Sequence, residues 1–202
     1  MAEQKLYAIN DVFLGAIERL RMLGFADSDI SWAEGAGPPE NAEVFACEAI
    51  FVICNSGMKN TVARQIYSRV IASLKRGESA RAAFGHVGKS AAIDTIWRDQ
   101  ERLFAAYCSA EDKIAFCETL PWIGAITKFH LAKNFGVDVA KPDVHLARLG
   151  IAVGETPQAL CERLGAAYGY KARTVDLLLW RACAEGVIDS RTGRLVEDTD
   201  GR

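Results

Sequence analysis

The sequence contains no apolar run of membrane length. Half of its 202 residues are hydrophobic, but they come in short stretches broken by charge. None approaches the roughly 18 uncharged residues that a membrane-spanning helix needs. The first residues carry Glu3, Lys5 and Asp11, so they lack the apolar core of a secretion signal. These two absences point to a cytoplasmic chain. There is no Cys-x-x-Cys pair among Cys47, Cys54, Cys108, Cys117, Cys161 and Cys183, which removes the ligand spacing of a zinc ribbon. A chain of this length buries a core without disulfide staples, so the thiols read as reduced. His86, His130 and His145 show no metal-ligand spacing either. Sustained strand alternation, heptads and internal repeats are all missing, which disfavours β-sandwiches, coiled coils and solenoids.

The chain also lacks an excess of basic charge: its formal net charge is −2. The distribution is more informative. Between Lys59 and Lys89 seven basic residues (Lys59, Arg64, Arg69, Lys75, Arg76, Arg81 and Lys89) face Glu78 alone. Between Ala125 and Gly150, Lys128, Lys133, Lys141 and Arg148 outnumber Asp138 and Asp143. A local basic face binds phosphates whatever the total charge. The same charges also suit a solvated helix face.

What is present reads as helix after helix, which makes the expected fold class all-α. Val12, Ile17, Leu20 and Leu23 share a face of a first helix that stops at Gly24. Residues Gly35 to Pro39 form a loop, and the apolar run Val44–Cys54 reads as a buried helix broken at Asn55-Ser56-Gly57. Val62, Ile66, Val70, Ile71 and Leu74 mark the next helix, ending near Gly77. Further helices run through Ile93, Ile96 and Trp97, and over Glu111–Leu120. Another leads from the Pro121–Gly124 turn to Asn134. Thr156 is a good N-cap followed by Pro157, with Gly169 as the stop. A last helix covers Asp176–Ala184. Trp32, Trp97 and Trp180 read as core residues.

The segment Leu120–Leu149 carries the chemistry. Pro121 forbids simple continuation of the helix before it. Gly124 suits a tight hairpin and lets backbone approach a ligand. A helix begins at once, so its free N–H groups and dipole form an anion site. Thr127 and Lys128 lie in that first turn. Contacts of this kind reach the sugar-phosphate strand and carry no sequence information.

This stretch resembles the helix-hairpin-helix of the DNA glycosylase superfamily that includes endonuclease III and the adenine-mismatch, oxoguanine and alkyladenine glycosylases. The hairpin is Leu120-Pro121-Trp122-Ile123-Gly124, and the later element is Lys141-Pro142-Asp143-Val144-His145. The resemblance implies that Asp143 is the catalytic aspartate, and that the hairpin with Ala125, Thr127 and Lys128 grips DNA. His145 and Arg148 would lie at the start of the following helix and also contact DNA. Upstream, Glu43–Ile66 resembles the helix-loop-helix whose loop enters the minor groove, which places Asn55, Ser56, Gly57 and Met58 in the gap left by a flipped nucleotide. Gly85–Ile93, with Lys89, resembles the family's Gly-x(3)-Lys-Ala approach segment, which implies that Lys89 contacts DNA. The implied architecture is two helical lobes around a central cleft. One would span approximately 58–148, and the other 1–57 plus 149–202.

Two departures from the pattern matter. Trp122 stands where the first hairpin glycine is usual, and a left-handed backbone there would strain it. Ile126 stands where the bifunctional members carry a lysine nucleophile. Lys128 is two residues on, about 200° around the helix, and does not replace it. With the C-terminal iron–sulfur cysteines also missing, the pattern is closest to the alkyladenine branch. It implies a monofunctional glycosylase of base excision repair. It would act on double-stranded DNA as a nucleoid-associated monomer, with no cofactor beyond a monovalent cation at the hairpin. The alternative function is a non-catalytic helix-hairpin-helix DNA-binding protein. The excised base is left open, with an alkylated purine the first expectation because cationic bases leave easily and suit aromatic pockets.

Overall fold

The computed structural model describes residues 2–197. It is predominantly helical, with eleven α-helices and one short antiparallel ribbon among the described residues. Contacts divide the chain into two compact units: Met1–Ala36 with Asp138–Arg202, and Gly37–Val137.

The first unit contains α1 (Ala2–Met22), α2 (Ala26–Gly35), α9 (Val144–Val153), α10 (Pro157–Tyr168) and α11 (Ala172–Ala184). Helix α11 is its centre and packs against α1, α2, α9 and α10. Phe13, Leu20, Leu146, Leu149, Leu160, Leu164 and Leu179 fill the core between them. The buried Arg173 donates from its guanidinium to the carbonyls of Ala33 and Ala36, closing the C-terminal end of α2. The ribbon pairs β1 (Ile188–Asp189) with β2 (Arg194–Leu195). It docks on α1 where Gly15 makes room, because a Cβ there would lie 2.6 Å from a Leu195 methyl.

The second unit contains α3 (Ala42–Asn55), α4 (Asn60–Lys75), a 3-10 turn (Ala80–Ala82), α5 (Val87–Arg98), α6 (Gln100–Ser109), α7 (Lys113–Glu118) and α8 (Thr127–Asn134). Its centre is α3, the run read as a buried helix. It packs against α4, α5, α6 and α8, with Phe45 fully buried among Phe104, Tyr107, Phe116 and Phe135.

The division differs from the expected lobes of 58–148 and 1–57 plus 149–202. Helix α3 shares a core with α4 to α8, so the boundary falls at 36/37. Helix α9 shares one with α1 and α11, so Asp143 belongs with the termini. Four elements were not expected: α2, the 3-10 turn, α6 and the ribbon. Trp32, read as core, is 48% exposed, and Leu23, read on the buried face of α1, is 54% exposed.

Candidate functional site

The hairpin lies in the second unit. Helix α7 starts at Asp112, whose carboxylate accepts from the N–H groups of Ile114 and Ala115. The chain then turns through Leu120-Pro121-Trp122. Leu120 and Ile123 are buried and pin the turn to the core, and the Ile123 N–H donates to the Leu120 carbonyl. Ile123 is therefore held in the turn by both its side chain and its backbone N–H. Trp122 has φ +66°, the left-handed value that favours glycine, and is the sole non-glycine with positive φ among the described residues. For an L-residue this conformation costs roughly 1–2 kcal/mol. Packing of the ring offsets it. The indole lies so close to Gly88 that a Cβ there would be 2.5 Å from a ring carbon, and it meets His86 edge-on with centroids 5.1 Å apart.

Gly124 serves differently from its expected part. Its φ is not positive, and a Cβ built on it meets nothing within 4 Å. Neither turn geometry nor internal packing requires glycine there, so the free space lies outside, over an exposed stretch that includes Ala125 and Ile126. Helix α8 begins without a side-chain cap, with Ile126 in the helical region. Thr127 Oγ1 accepts from the Gly124 N–H at 2.8 Å, so its hydroxyl braces the hairpin. No acceptor among the described residues meets the N–H groups of Ala125, Ile126 and Thr127. Lys128, expected on a phosphate, pairs with Glu118 at 2.6 Å. Such a pair is worth little in water and exchanges readily.

Lys89 is placed unlike its expectation. It is buried, and its ammonium donates to the Ser56 carbonyl. Burial holds its pKa below the ordinary lysine value. A lysine so engaged tethers the Asn55–Met58 loop to α5 instead of meeting DNA. The loop leaves α3 with Ser56 extended and Gly57 at φ +70°. Gly57 is the exposed tip, flanked by half-buried Ser56 and Met58. The Asn55 Oδ1 is buried and has no partner.

Asp143, His145 and Arg148 lie in the first unit. Asp143 is the N-cap of α9, and its Oδ1 accepts from the N–H groups of His145 and Leu146 at 3.0 and 3.1 Å. That leaves Oδ2 for other partners, with Lys141 Nζ 4.0 Å away. The Asp143 side chain is 14% exposed. Burial, and then the charge of Asp143, push the neighbouring Cys183 thiol up to about 12, so that thiol stays protonated and unreactive. His145 Nδ1 lies 3.0 Å from Ser190 Oγ. Arg148 is one turn on, half-buried, and its side chain has no ion pair or hydrogen bond among the described residues.

No family model, curated protein or solved structure matches this chain. What it does is read from its own geometry. No three His, Cys, Asp or Glu side chains gather as a metal site among the described residues, and no helix there is long and apolar enough to cross a membrane.

One polar group in the second unit was not singled out from the sequence. Glu48 accepts from Asn134 Nδ2 at 3.0 Å, and burial pushes its carboxyl above the ordinary glutamate value despite Asn134 and Arg64. Beside it, burial also raises Tyr67 and Cys47, which share a hydrogen bond. The ring of Phe51 meets Tyr67 edge-on, and Arg64 lies over that ring. The signal was available: Glu48 is the lone charge inside the apolar run Val44–Cys54.

Proposed function

We propose that this chain is a monofunctional DNA N-glycosylase that hydrolyses the bond between a damaged base and its sugar, with an alkylated purine as the first substrate class. The observation that carries the reading is the backbone at Trp122. The residue that departs from the hairpin pattern in type keeps the left-handed conformation the pattern's glycine would supply. That strained conformation supports the hairpin reading, and the N–H groups of Ala125, Ile126 and Thr127, which meet no acceptor among the described residues, follow it.

The mechanism has three steps. The uncapped start of α8 takes a backbone phosphate of the duplex, as helix N-termini do. Binding energy from that contact offsets the few kcal/mol needed to rotate a nucleotide out of the stack, and the Asn55–Met58 loop, held by Lys89, fills the vacated space. Departure of the base then builds positive charge on the sugar. The Oδ2 of Asp143, which takes no cap hydrogen bond, stabilises that charge and accepts a proton from the attacking water. The N-cap hydrogen bonds hold the carboxylate in one orientation, which is what electrostatic preorganisation requires. Ile126 occupies the position where an amine nucleophile would stand, so the product is an abasic site with the strand intact.

The test is Asp143→Asn on a panel of methylated, oxidised and deaminated duplexes, with released base measured by mass spectrometry. Asparagine still caps α9, so folding and duplex binding stay within a few fold. Base release should fall by about a thousandfold. Undiminished release would rule the mechanism out. Salt-dependent duplex binding by the wild-type chain, with no base released from any substrate, would identify a binder without catalysis.

A further inference from the structure

The ribbon at the end of the first unit reaches the same turn of α9 that carries Asp143. Its tip is tightly built. The Asp189 carbonyl accepts from the Gly193 N–H at 2.8 Å, and the Asp189 carboxylate accepts from the Arg191 N–H at 2.9 Å. Gly193 lies against α9, where a Cβ on it would sit 3.8 Å from Ala152 and 3.9 Å from Leu149. On the other side, Leu195 fills the space at Gly15 and the Arg19 guanidinium donates to the Val196 carbonyl. Ser190, 5% exposed, is thus fixed by its backbone. Its hydroxyl is the hydrogen-bond partner of His145 Nδ1 at 3.0 Å.

We infer that Ser190 is a positioning residue that orients the His145 imidazole, so that Nε2 and the Arg148 guanidinium together take one DNA phosphate beside Asp143. This rests on the function proposed above. Three observations carry it. His145 and Arg148 are three residues apart and so share a helix face. Arg148 has no ion pair among the described residues, which leaves its five donors for a ligand. With Nδ1 engaged by Ser190, Nε2 is the ring nitrogen left for a ligand. A hydroxyl suits this task because it rotates. It donates to Nδ1 of a neutral ring and accepts from Nδ1–H of a charged one. The ring therefore keeps its orientation in either state, and Nε2–H is a donor whenever the hydroxyl donates to Nδ1 or the ring is charged.

The experiment combines ring spectroscopy with a double-mutant cycle on the full chain. In the DNA-free protein, long-range proton–nitrogen correlation spectra should show the neutral His145 ring as the Nε2–H tautomer. Ser190→Ala should release it to a mixture, and Ser190→Thr should restore it. Duplex dissociation constants at fixed salt should rise about tenfold for His145→Ala. They should rise several-fold for Ser190→Ala, and no further in the double variant than in His145→Ala alone. Thermal melts of each variant separate loss of binding from loss of fold. Ring signals indifferent to Ser190→Ala, or losses that simply add, overturn the inference. Additive losses with normal base release overturn it alone. A wild-type chain that binds no duplex overturns it together with the proposed function, whatever the ring shows.

Discussion

Helices α8 and α9 begin in opposite ways. Helix α8 starts uncapped, with Ile126 already in the helical region and the exposed N–H groups of Ala125 and Ile126 pointing at no acceptor. Helix α9 starts from Asp143, extended at ψ 177°, whose carboxylate takes the N–H groups of His145 and Leu146. An Asp or Ser cap is worth about 1 kcal/mol to a helix, so the open start forgoes that stability. The contrast is one of use. An open N-terminus keeps its donors for an acceptor from outside, whereas a closed one uses them to hold a carboxylate still. The two starts lie in different units, and each is suited to one half of the proposed task.

The substitution that strikes hardest at this contrast is Ile126→Asp. A carboxylate at the N-cap position of α8 satisfies the dipole from within and stabilises the helix by up to about 1 kcal/mol. It also repels a phosphate. Duplex affinity at low salt should fall by about tenfold or more, while the melting temperature holds or rises slightly. If affinity is unchanged in a binding titration, the open start of α8 does not meet DNA.

The open start also depends on a strained residue, and the closed one does not. Two variants at Trp122 separate strain from packing. Both Trp122→Gly and Trp122→Ala lose the ring packed on Gly88 and His86, but alanine retains the cost of the left-handed conformation. In urea denaturation Trp122→Ala should be less stable than Trp122→Gly by about 1 kcal/mol. Equal stabilities would mean that the turn relaxes when the ring is removed, and the hairpin shape would then belong to the indole and not to the backbone.

These ends differ too in how far the sequence announced them. Helix boundaries written in side-chain chemistry were legible. Thr156 caps α10 through the Ala159 N–H, Pro157 follows, and Gly169 ends the helix at φ +77°. The turn between α7 and α8 was legible from Pro121 and Gly124. The direction of a long side chain was not. Lys89 looked like a phosphate ligand because lysine spacing says nothing about which way the ammonium turns, and here it turns inward to Ser56. Lys128 was drawn to Glu118, ten residues earlier, for the same reason. Helix α2 escaped notice because part of its stability comes from far along the chain: Arg173 satisfies the carbonyls at its end. The ribbon, two residues per strand, is too short to show alternation. Ser190 gains its place only through that ribbon.

The contrast extends from helix starts to carboxyl groups. Asp143 draws backbone donors at a helix end, whereas Glu48 sits inside α3 with one side-chain amide and the Arg64 charge to balance its burial. Burial wins, and the folded-state pKa lies above that of the unfolded chain. The sign follows from linkage. The fold binds this proton more tightly than the unfolded chain does, so the stabilisation is complete below the unfolded value near 4.5 and is lost as pH rises through the folded one. Above that range the ionised Glu48 costs stability relative to a group that cannot ionise. Glu48→Gln keeps the shape and the ability to hydrogen-bond Asn134. It should melt higher than wild type at pH 7 and match it near pH 4, a smaller effect than either substitution above. A wild-type chain more stable than Glu48→Gln at pH 7 would mean that Arg64 and Asn134 outweigh desolvation, and Glu48 would then be an ion-pair member like the surface pairs around it. A gap of equal size at both pH values would remove the proton from the explanation altogether.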